Sequence, residues 1–87
     1  MSDDPLLSFP CKLPVKVLGR NDTTFRSAVN RIVRRHYADF DSANVTEQHS
    51  RNSAYLSLTF MISAASREEV DALYRELTAS DEIMMVL

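Results

Sequence analysis

Glycine occurs once in this 87-residue chain, cysteine once and tryptophan never, and the three prolines all fall within the first 14 residues. A single glycine excludes the Gly-rich phosphate loops GxGxxG and GxxxxGK(S/T), which need several. Cys11 has no partner for an internal disulfide, and one cysteine with two histidines cannot assemble a structural zinc site, so neither a metal nor a cofactor is implied. An excess of one charge is lacking too. Lys and Arg number 10 and Asp and Glu 12, and a net charge of −2 offers no positive field to gather nucleic acid or an anionic membrane. No stretch approaches the ~20 apolar residues of a membrane span. The opening MSDDPLLSFPCKLP carries acids where a signal peptide needs bases. These features, with the cysteine usage, lead to the expectation of a cytoplasmic protein.

What is present suits one small globular domain: 45% of residues are hydrophobic and 25% charged. The prolines mark residues 1–12 as an extended leader, and residues 13–87 as the domain. Leu13, Val15 and Val17 alternate with Pro14, Lys16 and Leu18, which reads as a half-buried strand closing at Gly19, where a positive φ lets the chain reverse. Asn21 or Asp22 can cap a helix from about Asp22 to Tyr37, whose apolar face is Phe25, Ala28, Val29, Ile32, Val33 and His36.

Residues 43–49 carry one strong apolar side chain and predict a polar edge strand. Beyond the turn Ser50-Arg51-Asn52-Ser53, Leu56, Leu58, Phe60, Ile62 and Ala64 alternate against Tyr55, Ser57, Thr59, Met61 and Ser63, which is the pattern of a long strand. Ser66-Arg67-Glu68-Glu69 fits a capping box, and the second helix then runs from about Arg67 to Ala79 with Val70, Leu73, Tyr74 and Leu77 apolar. Ile83–Leu87 reads as a final strand. The order β-α-β-β-α-β predicts an α+β, ferredoxin-like sandwich with two helices on one face of a four-stranded antiparallel sheet, strand order 4-1-3-2.

No pair of titrating groups bears a catalytic signature, so a non-enzymatic role is expected, with no catalytic residue. His36 reads as a partly buried residue at a helix C-terminus, His49 as exposed and Cys11 as semi-buried. Charge is segregated by element. The first helix holds Arg26, Arg31, Arg34 and Arg35 against Asp22, while the second holds four acids against two arginines. The plain reading is two solvated faces that complement each other. The sharper one makes Arg31, Arg34 and Arg35 an interaction surface, joined by Ile83 and Met85 on the final strand's edge.

RNA binding is tested by the third-strand consensus of RNA-recognition motifs. Arg51-Asn52-Ser53-Ala54-Tyr55-Leu56-Ser57-Leu58 keeps the basic start and one aromatic but lacks the glycine and two aromatics, so nucleic acid is disfavoured. On the sheet face away from the helices, Tyr55, Met61, Leu18 and one alternating set of Ile83–Leu87 should point outward. Leu6, Leu7 and Phe9 of the leader are one expected cover for it. A second copy of the chain, forming a homodimer, or a partner protein is the other.

Several strings taken together resemble the YbeD-like family of small bacterial proteins. They are Phe9-Pro10 leading into Lys16-Val17-Leu18-Gly19, Val33-Arg34-Arg35-His36, Tyr55-Leu56-Ser57-Leu58, the run from Val70 to Leu77, and Met85-Val86-Leu87. The resemblance implies a fold similar to ACT-type regulatory domains, a regulatory role in lipoate metabolism and no catalytic residue. It also implies that a small effector would bind in the loop after the first strand, here Gly19, Arg20, Asn21 and Asp22. Where ACT-type domains usually begin the next helix with Pro-Gly, this chain has Thr23-Thr24.

Overall fold

A computed structural model describes residues 8–87. Its first strand, β1 (Cys11–Arg20), is followed by helix α1 (Thr23–His36), a short 3-10 turn at Ser42–Asn44, β2 (Thr46–His49), β3 (Tyr55–Ala64), helix α2 (Arg67–Ala79) and β4 (Met85–Val86). The four strands form one antiparallel sheet in the order β2-β3-β1-β4, which is the expected ferredoxin-like arrangement read from the other edge.

The alternation in β1 and β3 decides what each face of the sheet does. All ten residues of β1 pair with β3, from Cys11 opposite Ala64 to Arg20 opposite Tyr55. Val15 and Val17 on β1, with Leu56, Leu58, Phe60, Ile62 and Ala64 on β3, are buried beneath Phe25, Val29, Ile32 and Val33 of α1 and Leu73 and Leu77 of α2. Burying such side chains stabilises the fold by about 1.5–3 kcal/mol each before the entropic cost is counted. Both helices are capped as their sequences suggest. Asp22 accepts from the Phe25 N–H at 2.8 Å and Ser66 from the Glu69 N–H at 3.2 Å. The Glu69 carboxylate accepts the Ala65 N–H, one residue before the position a capping box would use.

β1 begins at Cys11, two residues earlier than the sequence suggests, and it contains Pro14. The Leu87 and Met84 N–H groups donate to the carbonyls of Lys16 and Leu18, so the even-numbered residues of β1 turn their backbone toward β4. Pro14 shares that orientation but lies beyond the end of β4. Its missing N–H therefore costs no ladder bond.

Gly19 departs from the expected role. It stays extended within β1, opposite Leu56, without a positive φ, and the strand continues to Arg20. Its function is steric: a Cβ there would stand 2.3 Å from Phe25 Cδ1, so the absence of a side chain lets the buried ring lie against the strand. The residue with positive φ is Ser53 (61°), in the turn between β2 and β3.

Ile83 also departs from expectation. Its N–H closes a turn to the Ser80 carbonyl, and this puts the side chain under the helices at 7% exposure rather than on an accessible edge. Regular pairing of the last strand is thereby limited to Met85 and Val86. Phe9 packs against the core beside Leu13, Val70 and Tyr74, on the helix side of the sheet, so it does not cover the opposite face. Leu6 and Leu7 lie outside the described residues.

If the Gly19 contact is a steric requirement, Gly19→Ala should lower the free energy of unfolding by about 2 kcal/mol through overpacking. The loss should shrink when Phe25→Leu is combined with it, a non-additivity read from urea denaturation of the two single variants and the double.

Candidate binding surface

The loop proposed for a small effector is largely occupied by its own fold. Asn21 Nδ2 donates to the Ser53 carbonyl at 2.9 Å and reaches His49 Nδ1 at 3.2 Å, while Asn21 Oδ1 accepts from Arg26 at 3.1 Å. Asp22 is the helix cap, and Gly19 is filled by the Phe25 ring. Of the four residues only Arg20 keeps an exposed polar side chain with no partner among the described residues.

The knot around Asn21 continues into a charged pair that the sequence reading missed. Arg26 on α1 grips the Glu47 carboxylate of β2 through two hydrogen bonds, 3.0 and 3.1 Å. Its hydrogen bond with Arg26 holds the Glu47 carboxyl below the usual carboxylate range, an effect opposed by partial desolvation and aided by the charges of Arg26 and His49. Glu47 is the single acid of β2, placed on the helix side by its pairing opposite Leu58, and that alternation was the available signal. Beside the pair, a cleft of about 350 Å³ runs between α1 and β2, with Asn30, Phe40, Val45 and Leu58 in its lining.

At the other end of α1 the segregated helix charges meet. His36 Nε2 donates to Glu76 Oε1 at 2.7 Å, since a carboxylate can only accept, and Arg35 bonds the other oxygen. These contacts, the histidine hydrogen bond foremost, lower the Glu76 pKa. Arg35 is thus engaged within the fold. Arg31 and Arg34 remain exposed, with no ion pair among the described residues. Tyr37, half-buried after α1, has its pKa pushed up to about 12 by desolvation and by the nearby Glu69 carboxylate, although its Oη makes no hydrogen bond of normal geometry.

The surface with most to offer a partner is the face of the sheet away from the helices. Tyr55 is 41% exposed, Met61 53%, Met85 51% and Leu87 59%, and Leu18 lies half-buried among them. Along β1 the outward positions read Lys12, Pro14, Lys16, Leu18 and Arg20, so cationic and apolar side chains alternate. The expected Met85 and Tyr55 stand here, whereas Arg31 and Arg34 stand on the opposite layer. Among the described residues no three or more His, Cys, Asp or Glu side chains gather as metal ligands, and no helix is long and apolar enough to cross a membrane.

Comparison with known proteins fixes the family. Residues 4–87 match the model described as a protein of unknown function, DUF493. The chain belongs to this family. UPF0250 protein NE1487 of Nitrosomonas europaea is 38% identical over 87 residues, covering all of both chains. A UPF0250 protein of Hahella chejuensis is 41% identical over 83 residues, which is 95% of this chain and 91% of the other. These are the YbeD-like proteins that the sequence resembles. The solution structure of protein HP0495 from H. pylori superposes with a TM-score of 0.79 over 99% of this chain and 90% of that one, at 16% identity, and so supports the shared fold. None of these DUF493 and UPF0250 relatives is named for an activity.

The Arg26–Glu47 pair predicts a measurable titration. A carboxyl with a lowered folded pKa contributes stability that is present above its unfolded pKa and is lost as the pH falls through the folded one. Arg26→Ala should therefore return Glu47 toward the ordinary carboxylate range in ¹³C-detected carboxyl titrations. The stability difference between this variant and the parent should shrink as the solution is acidified.

Proposed function

We propose that this protein is a non-enzymatic regulatory module that acts by binding a partner protein across the open face of its sheet. The observation that carries this reading is the group of exposed apolar side chains there, Tyr55, Met61, Met85 and Leu87, which nothing among the described residues covers. Exposed apolar side chains that share one sheet face, here with Ser57 and Thr59 standing between Tyr55 and Met61, support an interaction site on a small domain. The absence of a catalytic signature in the sequence supports a binding role.

A regulatory domain of this fold can also act through a small effector in the Gly19–Asp22 loop. Here the internal use of Asn21 and Asp22 favours the protein-binding form. The YbeD-like resemblance would set the regulated system in lipoate metabolism, and no residue of the open face is specific to that chemistry. An adaptor working through the helix arginines would have Arg31 and Arg34 available, with Arg35 already held by Glu76.

Site-specific photo-crosslinking in the native bacterium separates these forms. A benzoylphenylalanine introduced at Met61 or at Met85 should give adducts to a different polypeptide, and the same probe at Arg31 should give none. Adducts from Arg31 alone would move the interface to α1. Adducts only to a second copy of the chain would replace the partner with a homodimer.

A further inference from the structure

Resting on the reading of the open face as the binding surface, we propose that the partner presents an acidic segment interleaved with apolar side chains, and that this segment lies along β1. The alternation of β1 turns Lys12, Lys16 and Arg20 outward at steps of four residues, about 13 Å apart at the rise of a strand. Pro14 and Leu18 fill the intervening outward positions, so the strand displays cation, apolar, cation, apolar, cation in one row.

The flanking strands are mixed: Ser57, Thr59 and Ser63 of β3 and Thr46 and Gln48 of β2 turn uncharged polar side chains outward, with Tyr55, Met61 and Met85 as the apolar members. Across the β1–β3 pairing, Pro14 faces Met61 and Arg20 faces Tyr55, while on the other side Met85 lies beside Leu18. No Asp or Glu occupies an outward position on any of the four strands. Glu47, the one acid within β2, is turned to the helix side and held by Arg26. In a chain whose net charge is −2, strands whose outward charged side chains are all cationic are a local inversion of sign. At the Lys12 end, Asp39 and Asp41 share a cleft with that lysine, so the unopposed part of the row is Lys16 and Arg20.

Charge complementarity selects among the occupants. Two copies stacked through this face would gather the Lys16 and Arg20 cations of both in one interface, with no acidic side chain at the outward strand positions to neutralise them. RNA would answer the charge but not the rest. Tyr55 is the one outward aromatic, whereas sheets that read single strands stack two or three bases, and Met61, Met85 and Leu87 offer phosphates nothing. A protein segment with carboxylates at the cation spacing and apolar residues between them satisfies both parts of the row. Its carboxylates would meet exposed cations, so the electrostatic share should act on encounter and weaken with salt.

The test uses the full chain and a labelled synthetic peptide of repeating glutamate and leucine. A peptide of the same length with glutamine in place of glutamate and an oligouridylate serve as competitors for the assignment. The Glu/Leu peptide should bind about tenfold more tightly than the Gln/Leu peptide at low salt, an advantage that moderate salt removes. Amide shifts should map to Lys16–Arg20 and Tyr55–Met61. Lys16→Glu/Arg20→Glu should lose the advantage, while Arg31→Glu/Arg34→Glu keeps it. Lys16→Gln/Arg20→Gln should lose it as well, and covers the case in which the charge-reversed variant fails to fold. Equal binding of the two peptides, shifts confined to α1, or preferential binding of oligouridylate would overturn the proposal. If crosslinks from Met61 persist while the acidic peptide shows no advantage, the open face stands as the interface and only the chemistry assigned to its partner falls.

Discussion

Ten consecutive residues of β1 are paired with ten of β3, and the rest of the structure is arranged about that ladder. The two strands are separated in sequence by α1 and β2, so closing them together costs loop entropy that only a large buried face can offset. The face that offsets it is the alternating set from Val15 to Ala64, covered by both helices. Once the register is set, every outward residue is set too, because a strand has no third direction in which to send a side chain. The same constraint therefore builds the core and the exposed face of the sheet.

The junction after β1 shows how few degrees of freedom remain. Phe25 can reach the strand because Gly19 has no side chain, Asp22 caps the helix that carries Phe25, and Asn21 ties the turn to Ser53 and His49 on the neighbouring hairpin. Arg26, one residue beyond Phe25, then fastens the edge strand through Glu47. A loop with its polar groups spent in this way stiffens the fold and offers little to a dissolved ligand. At the far end of α1, Arg35 and His36 close on Glu76, so the positive and negative helices answer each other inside the molecule.

Most of the architecture was legible because it rests on short-range pattern. The period of two from Tyr55 to Ala64, the helical face from Phe25 to Val33 and the capping serine before Arg67 all act through neighbours in sequence. The misreadings arose where a residue's role depends on what lies across space. Gly19 fits a reversal as well as it fits a steric vacancy, and only the position of the Phe25 ring separates the two. Ile83 continues an apolar run but is turned inward by a bond to Ser80, which no periodicity records. Phe9 has the composition of a cover for the open face, yet it finds Val70 and Tyr74 on the other layer. The row Lys12, Lys16 and Arg20 was readable from the alternation of the first strand, but counting charge by helix passes over it.

Pro14 carries a consequence for the outer flank of β1. The flank of β1 outside its pairing with β4 carries the backbone groups to which a further strand would pair, and such pairing needs a regular series of donors and acceptors. Pro14 removes one donor from that series while leaving the ladder to β3 intact. The proline ring thus leaves this part of β1 with one donor fewer than a regular strand would offer to a neighbour. A long strand can therefore stand beside a very short one with part of its outer backbone unsuited to regular pairing.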